Sequence, residues 1–311
     1  MNGQKRDNRI SVIVPVFNEG KNVKALYVEI FAVLKSLNPS FEIIFVDDAS
    51  TDNTLNELET LSPVTIIKLR KNSGQSAALD AGIKCSTGDI IVTMDGDGQN
   101  DPSDIPGLVQ NLSKGYDAVC GWRHKRKDSF LKKFISGGAA VLRRFLVDDE
   151  VHDAGCTLRA YKRECFEDLA LYGELHRMIP ALLKWRGFRV TEQKVNHRQR
   201  KHDKSKYTLT RIPKGFLDML YVWFWRKYSN RPLHLFGGMG LFFIFLGACI
   251  LSLMLYLKIF YEYKLSDKIW PLAGFFSIVI GLQFLLSGIL AANSVESSGT
   301  KKYYIEEKIV K

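Results

Sequence analysis

The sequence predicts an α/β fold. It reads as a mostly parallel sheet with helices on both faces, followed by an interfacial helix and two C-terminal transmembrane helices. Three observations carry this. Apolar strand-like runs alternate with helical patterns over roughly the first 200 residues. Two long runs near the C-terminal end, residues 233–257 and 270–292, contain no Asp, Glu, Lys or Arg. Between these regions, Leu217, Leu220, Tyr221 and Phe224 fall at helical spacing.

The strand-like runs are residues 11–16, 42–47, 64–69, 90–94 and 118–121. They are nearly continuous in apolar residues, as strands covered on both faces are. Helical patterns lie between them at 22–37, 54–61, 76–85 and 102–112. In such sheets ligands bind beyond the carboxyl ends of the strands, so the chemistry is sought there. Residues 207–228 read as an amphipathic helix lying on a membrane, with a soluble core helix as the other reading. Each uncharged run is long enough, at about 1.5 Å per residue, to cross a hydrocarbon core of about 30 Å. Pro271 falls at the start of the second run, where a missing N–H costs little. These features divide the chain into an N-terminal α/β domain (1–206), an interfacial segment (207–232), a two-helix hairpin (233–292) and a tail (293–311).

Arg226, Lys227 and Arg231 precede the first span, and Lys301 and Lys302 follow the second. By the positive-inside rule the N-terminal domain and both termini are expected to face the cytoplasm. The polar N-terminus, with no signal-peptide pattern, leads to the same expectation. Trp223, Trp225, Tyr228, Tyr256, Tyr261, Tyr263 and Trp270 stand where an aromatic belt would. The expected location is the inner membrane, with two passes.

The chain has 311 residues, 46% of them hydrophobic and 25% charged, which excludes a disordered chain or a small disulfide scaffold. Its five cysteines include no Cys-x-x-Cys pair, so buried reduced thiols are expected. The net charge of +11 asks for an anionic partner. No zinc-finger spacing or RNP-type aromatic motif is present, so nucleic acid is not the expected partner. Lipid and phosphorylated substrates are.

The first strand ends in Pro15-Val16-Phe17-Asn18-Glu19-Gly20. This is not a Gly-x-Gly-x-x-Gly turn, which argues against a dinucleotide-binding Rossmann site. The second ends in Asp47-Asp48-Ala49-Ser50-Thr51-Asp52. Acids there suit a base N–H and ribose hydroxyls, while Ser50, Thr51 or Asp52 suits a helix cap. The fourth ends in Asp95-Gly96-Asp97-Gly98-Gln99. Paired carboxylates repel, and a hard cation with substrate phosphates relieves that, although a solvated turn would also hold them. The two glycines let a diphosphate approach the backbone.

PVFNE, VDDASTD, NSGQSAALDAG and DGDGQNDP together resemble glycosyltransferase family 2, with its GT-A fold. Their order resembles the polyprenyl-phosphate glycosyltransferases, the group containing dolichol-phosphate mannose synthase and bactoprenol glucosyltransferase. The resemblance covers essentially the whole chain. It implies that Pro15, Asn18, Glu19, Asp48 and Asp95 bind the nucleotide, and that Asp95, Asp97 and Gln99 hold Mg²⁺ or Mn²⁺. Asp95, Asp97 and Arg123 would be catalytic. Asp153 and Arg159 match an acceptor loop. Arg123, Lys133, Arg198, Arg200, Ser205 and Lys206 would meet the acceptor phosphate. Asp203 stands where the family often has Gly, which bears on the local loop geometry. The lysines and arginines of these clusters serve either lipid attraction or phosphate capture.

The implied reaction is inverting transfer of a sugar, UDP-glucose first and GDP-mannose or UDP-GlcNAc behind it, to undecaprenyl or dolichyl phosphate. A phosphate monoester, with a second pKa of about 6, needs no general base. His152 is either a base or a polar loop histidine, and His176 and His202 are weaker candidates. The implied partners are the nucleotide-diphosphate sugar, the polyprenyl phosphate, membrane lipid and further copies of the chain, up to a tetramer. The rivals are a membrane glycan synthase with a hydroxyl acceptor and a non-catalytic, nucleotide-sugar-binding partner of a flippase.

Overall fold

The computed structural model describes residues 9–37, 40–123, 151–198 except 168, 170, 172 and 174, then 223–224, 227–228, 231–261 and 268–297. The chain divides into two compact units, Met1–Met219 and Leu220–Lys311.

In the first unit the described residues form a seven-stranded sheet in the order β3-β2-β1-β4-β6-β5-β7. The strands are β1 (Ile10–Val16), β2 (Phe41–Asp47), β3 (Thr65–Lys68), β4 (Ile90–Thr93), β5 (Ala118–Arg123), β6 (Arg159–Lys162) and β7 (Val190–Val195). All neighbours run parallel except β6, which lies antiparallel between β4 and β5. Among the described residues the α-helices of this unit are α1 (Val23–Leu37), α2 (Thr54–Glu59), α3 (Gln75–Cys85), α4 (Ile105–Ser113) and α5 (Ile179–Trp185). This is the mostly parallel α/β architecture expected.

Strand β1 shows why the sequence folds this way. Val12, Val14 and Val16 point to one face, into a core with Leu26 and Ile30 of α1 and Leu108 of α4. Ile13 points to the other, where Gly82 of α3 approaches so closely that a Cβ there would stand 2.5 Å from Ile13 Cγ2. Both faces are therefore covered. Each fully buried Val or Ile contributes about 1.5–3 kcal/mol of transfer free energy. The parallel ladder Ile10↔Phe41 through Val16↔Asp47 then brings the tips of β1 and β2 side by side.

The structure differs from the sequence expectation in three places. The helix at 102–112 divides into a 3₁₀ turn, Pro102–Asp104, and α4, because Asp101 turns back to accept from Ser103 N at 3.0 Å. β6 is four residues long with cations at both ends (RAYK), too short and polar to read as a strand. β7 (VTEQKV) is a half-exposed edge strand with one buried end. Neither carries the apolar run that marks β1 or β2.

The second unit contains α6 (Pro232–Tyr261) and α7 (Trp270–Ser297), both long and apolar enough to cross a membrane. Their contact is close. A Cβ on Gly240 would meet the Gly281 carbonyl oxygen at 2.7 Å, and one on Gly247 the Gly274 oxygen at 2.6 Å. Small residues let apolar helices approach where no water drives them together. Ser277 Oγ adds a bond to the Phe243 carbonyl at 2.8 Å. Leu241, Phe245, Phe276 and Leu290 project outward. The segment expected to be interfacial lies largely outside the described residues, though Trp223, Phe224, Lys227 and Tyr228 are helical.

Candidate active site

The site gathers at the carboxyl ends of β1, β2, β4 and β5. Asn18 and Ala49, just past β1 and β2, have φ of 55° and 59°. Non-glycine residues rarely hold this conformation, and it tends to persist at ligand sites. Here hydrogen bonds enforce it. Asn18 N donates to Ser50 Oγ at 2.9 Å, and Thr51 N donates to Asn18 Oδ1 at 2.7 Å. Glu19 is held through Thr54 Oγ1, which accepts from Glu19 N at 2.8 Å, and its carboxylate accepts from Asn22 Nδ2 at 2.6 Å. Pro15 is paired in the β1–β2 ladder with Val46.

Of the capping candidates, Asp52 accepts from Thr54 N at 3.0 Å, at the start of α2, and from Gly20 N. Ser50 and Thr51 bond to Asn18 instead. Asp48 is nearly buried, and its two oxygens accept from Ser73 N at 2.7 Å and Gly74 N at 2.9 Å. It therefore fixes the loop that starts α3.

That loop delivers a residue given no role from sequence. Gln75, the first residue of α3, donates from Nε2 to Asp95 Oδ1 at 2.6 Å. Thr157 and Arg123 also act on Asp95. Burial among these groups and the charge of Asp97 together push the Asp95 carboxyl up to about 6, against the pull of Thr157, Arg123 and Gln75. Asp97 turns its own loop, accepting from Gln99 N at 3.0 Å. Gly96 is pressed onto the end of β1, where a Cβ would stand 2.5 Å from Val16 Cγ1, and Gly98 has a φ of 71°. Only glycine fits this turn.

A divalent cation suits this donor set. Asp95 and Asp97 offer hard oxygens, and burial together with the charge of Asp97 disfavours the ionised Asp95, a cost that a cation would relieve. Among the described residues no group of three or more His, Cys, Asp or Glu forms a cage. The Gln99 side chain leans toward the Arg198 carbonyl, with Nε2 at 3.5 Å.

The raised Asp95 predicts a pH effect. Its folded value exceeds the ordinary 3.8. The folded protein thus holds a proton that the unfolded chain has released, and stability falls as pH rises from about 4 to about 6. In chelator-treated protein, Asp95→Asn is expected to be about 3 kcal/mol more stable than wild type at pH 7.5. The gap should shrink as pH falls toward 4.5. Thermal melts across this range check it.

Beside Asp95, Arg123 at the end of β5 grips Asp153. Nε lies 2.6 Å from Oδ2 and Nη2 lies 2.8 Å from Oδ1. Burial works against the guanidinium charge, but the Asp153 bonds win and raise its pKa. Two of its five donors are committed to this fork. Arg159 is 2% exposed and donates to the carbonyls of Ala154 at 2.6 Å and His176 at 3.1 Å. It braces the loop before β6.

His176 is buried, with Nδ1 2.8 Å from Ser76 Oγ. His152 is exposed, stacked on Trp122 at 4.6 Å and bonded to Glu192 at 2.6 Å. Arg198 forks onto Asp101, with Nη2 2.8 Å from Oδ1, and also bonds Glu29. Lys133, Arg200, Ser205, Lys206 and His202 lie outside the described residues.

The model of Glycosyl transferase family 2 matches residues 11–170, which span β1 to the 3₁₀ turn after β6. The chain belongs to this family. The transferase is 38% identical to dodecaprenyl-phosphate galacturonate synthase of Rhizobium johnstonii, over 91% of this chain and 86% of that protein. It is 31% identical to undecaprenyl-phosphate 4-deoxy-4-formamido-L-arabinose transferase of Proteus mirabilis, over 91% and 87%. Its polyprenyl-phosphate relatives are thus those the motifs resembled. Glucosyl-3-phosphoglycerate synthase from Mycobacterium tuberculosis, solved with Mn²⁺, UDP and phosphoglyceric acid, shares the fold. The TM-score is 0.57 at 19% identity, over 70% of this chain and 78% of that one. The GT-A architecture expected from the motifs is therefore present.

Proposed function

We propose that this transferase moves a sugar from a UDP-linked donor to a polyprenyl phosphate, with inversion, at the cytoplasmic face of a membrane. The observation that carries this is the Asp95–Asp97 pair at the end of β4, beside the buried Arg123–Asp153 pair, in a chain that ends in two membrane-length helices. The match with two polyprenyl-phosphate transferases, over 91% of this chain, supports the acceptor. The UDP complex of the structural neighbour supports the nucleotide.

In this reading Pro15, Asn18, Glu19 and Asp48 cradle the uridine at the tips of β1 and β2. Asp95 and Asp97, with Gln99 beside them, hold Mg²⁺ or Mn²⁺, which supplies Lewis-acid neutralisation of the leaving diphosphate. Gln75 and Thr157 keep Asp95 aimed. Arg123, fixed by Asp153, presents its remaining N–H donors to the acceptor phosphate. Lys133, Arg200, Ser205 and Lys206 are the further contacts proposed for it. An oxygen of the acceptor phosphate attacks the anomeric carbon as the bond to the diphosphate breaks. The phosphate is largely dianionic at neutral pH, so no side chain needs to remove a proton. The protein supplies position and charge. His152, exposed and bonded to Glu192, is not required as a base.

The 38%-identical relative acts on galacturonate by its name. A hexuronate therefore replaces glucose as the first donor to test. Purified enzyme with a short polyprenyl phosphate is incubated with UDP-galacturonate, UDP-glucose, UDP-GlcNAc or GDP-mannose and read by mass spectrometry. UDP-galacturonate is expected to give the fastest transfer. GDP-mannose outpacing every UDP-sugar would overturn the uridine assignment.

A further inference from the structure

The segment after β7 is fastened at two points onto residues 99–104, where the Asp95–Gln99 loop ends. Arg198 N donates to Gln99 O at 2.9 Å, and Asn100 pairs with His197 in an isolated antiparallel bridge. Asn196 N donates to Asp104 Oδ2 at 2.7 Å. Asn100 is itself buried and donates to Thr157 Oγ1 at 3.1 Å, and Thr157 also bonds Asp95. The loop is thus held from both sides.

The Arg198 side chain closes this clamp. Its Nε and Nη2 fork onto Asp101 at 3.2 and 2.8 Å, two residues beyond Gln99. Its Nη1 bonds Glu29, which lies on α1. One guanidinium therefore neutralises two carboxylates from distant parts of the chain. Were it to swing away onto another anion, Glu29 and Asp101 would face each other as like charges with no partner between them. A planar, forked cation suits this three-way junction, and a point charge does not.

We propose that Arg198 is a positioning residue for the nucleotide and cation loop, and that the Glu29–Arg198–Asp101 junction sets how tightly that loop takes a nucleoside diphosphate with a divalent cation. The basic side chain named from its motif as an acceptor-phosphate contact acts on the donor side. This rests on the assignment of Asp95 and Asp97 made above. It adds that a residue on the outside of α1, with no place in the chemistry, tunes the same site.

The test is calorimetric binding of UDP in the presence of MnCl₂ to the purified full-length chain, with no turnover involved. Wild type is compared with Arg198→Ala, Glu29→Gln, their double variant and Asp97→Asn. Arg198→Ala is expected to weaken UDP–Mn²⁺ binding about tenfold and Glu29→Gln at least threefold. The double variant should be no weaker than Arg198→Ala alone, because both act through one guanidinium. The KM for a short polyprenyl phosphate should stay within twofold in Glu29→Gln, a variant mild enough to keep the fold. Wild-type UDP–Mn²⁺ binding by either Arg198→Ala or Glu29→Gln, or a rise confined to the acceptor KM, overturns the proposal. Unchanged binding by Asp97→Asn instead overturns the site assignment beneath it.

Discussion

Asp97→Asn is expected to lower kcat/KM for sugar transfer by about a thousandfold or more, roughly 4 kcal/mol of transition-state stabilisation, while leaving the fold intact. The substitution removes one anionic charge and keeps the size of the side chain. Asp97 sits on a turn where Gly96 packs against Val16 and Gly98 takes a positive φ, and an Asn can still accept the bond from Gln99 N. The loss should therefore appear in rate and not in melting temperature. The companion variant Asp95→Asn should also be inactive, yet more stable, because it removes a buried charge that burial first, and the neighbouring Asp97 second, disfavour. Inactivity combined with added stability marks a site held in tension for function, not a damaged fold. Asp97→Asn retaining more than a tenth of wild-type kcat/KM, measured with saturating divalent cation, would remove Asp97 from the chemistry.

Asp153→Ala should have the largest effect on stability. The Arg123–Asp153 pair is nearly dry, with side-chain exposures of 13% and 6%. Removing one partner strands a buried charge and costs about 3–5 kcal/mol. The expected result is a marked fall in melting temperature together with loss of transfer. A second variant separates the two roles. Arg123→Met with Asp153→Leu replaces the whole pair by apolar side chains, which is often close to neutral for stability. Most of the lost stability should return in this double variant, with transfer still absent. Recovery of both would reduce Arg123 to a structural part.

The tips of the buried parallel strands were legible in the sequence, because a run such as ISVIVPV that gives way abruptly to polar residues is what a strand leaving a covered sheet looks like. The Asp-Gly-Asp-Gly-Gln turn was legible in the same way, as charge directly after the four buried residues of β4. Spacing cannot reveal partners that the fold supplies from far away. Gln75 reaches Asp95 only because α3 crosses from the β3 edge back over β1 and β2. Thr157 stands two residues before β6, the antiparallel strand whose four residues carry no apolar signature. Arg198 reads as a phosphate contact from its resemblance to a motif, and its bonds to carboxylates are beyond such a reading. One of those partners, Glu29, lies 169 residues away, on a helix whose buried face is all that periodicity can read.

Whether the phosphate of the lipid is the nucleophile is the claim on which the rest depends. It can be measured directly. Purified enzyme, a divalent cation and the donor selected from the sugar panel are incubated with a short polyprenyl phosphate in one tube and the matching polyprenol in another, and the lipids are weighed by mass spectrometry. One sugar added to the polyprenyl phosphate, and none to the polyprenol, is the predicted result. Sugar on the polyprenol hydroxyl, or no sugar on the phosphate with any donor, would contradict it.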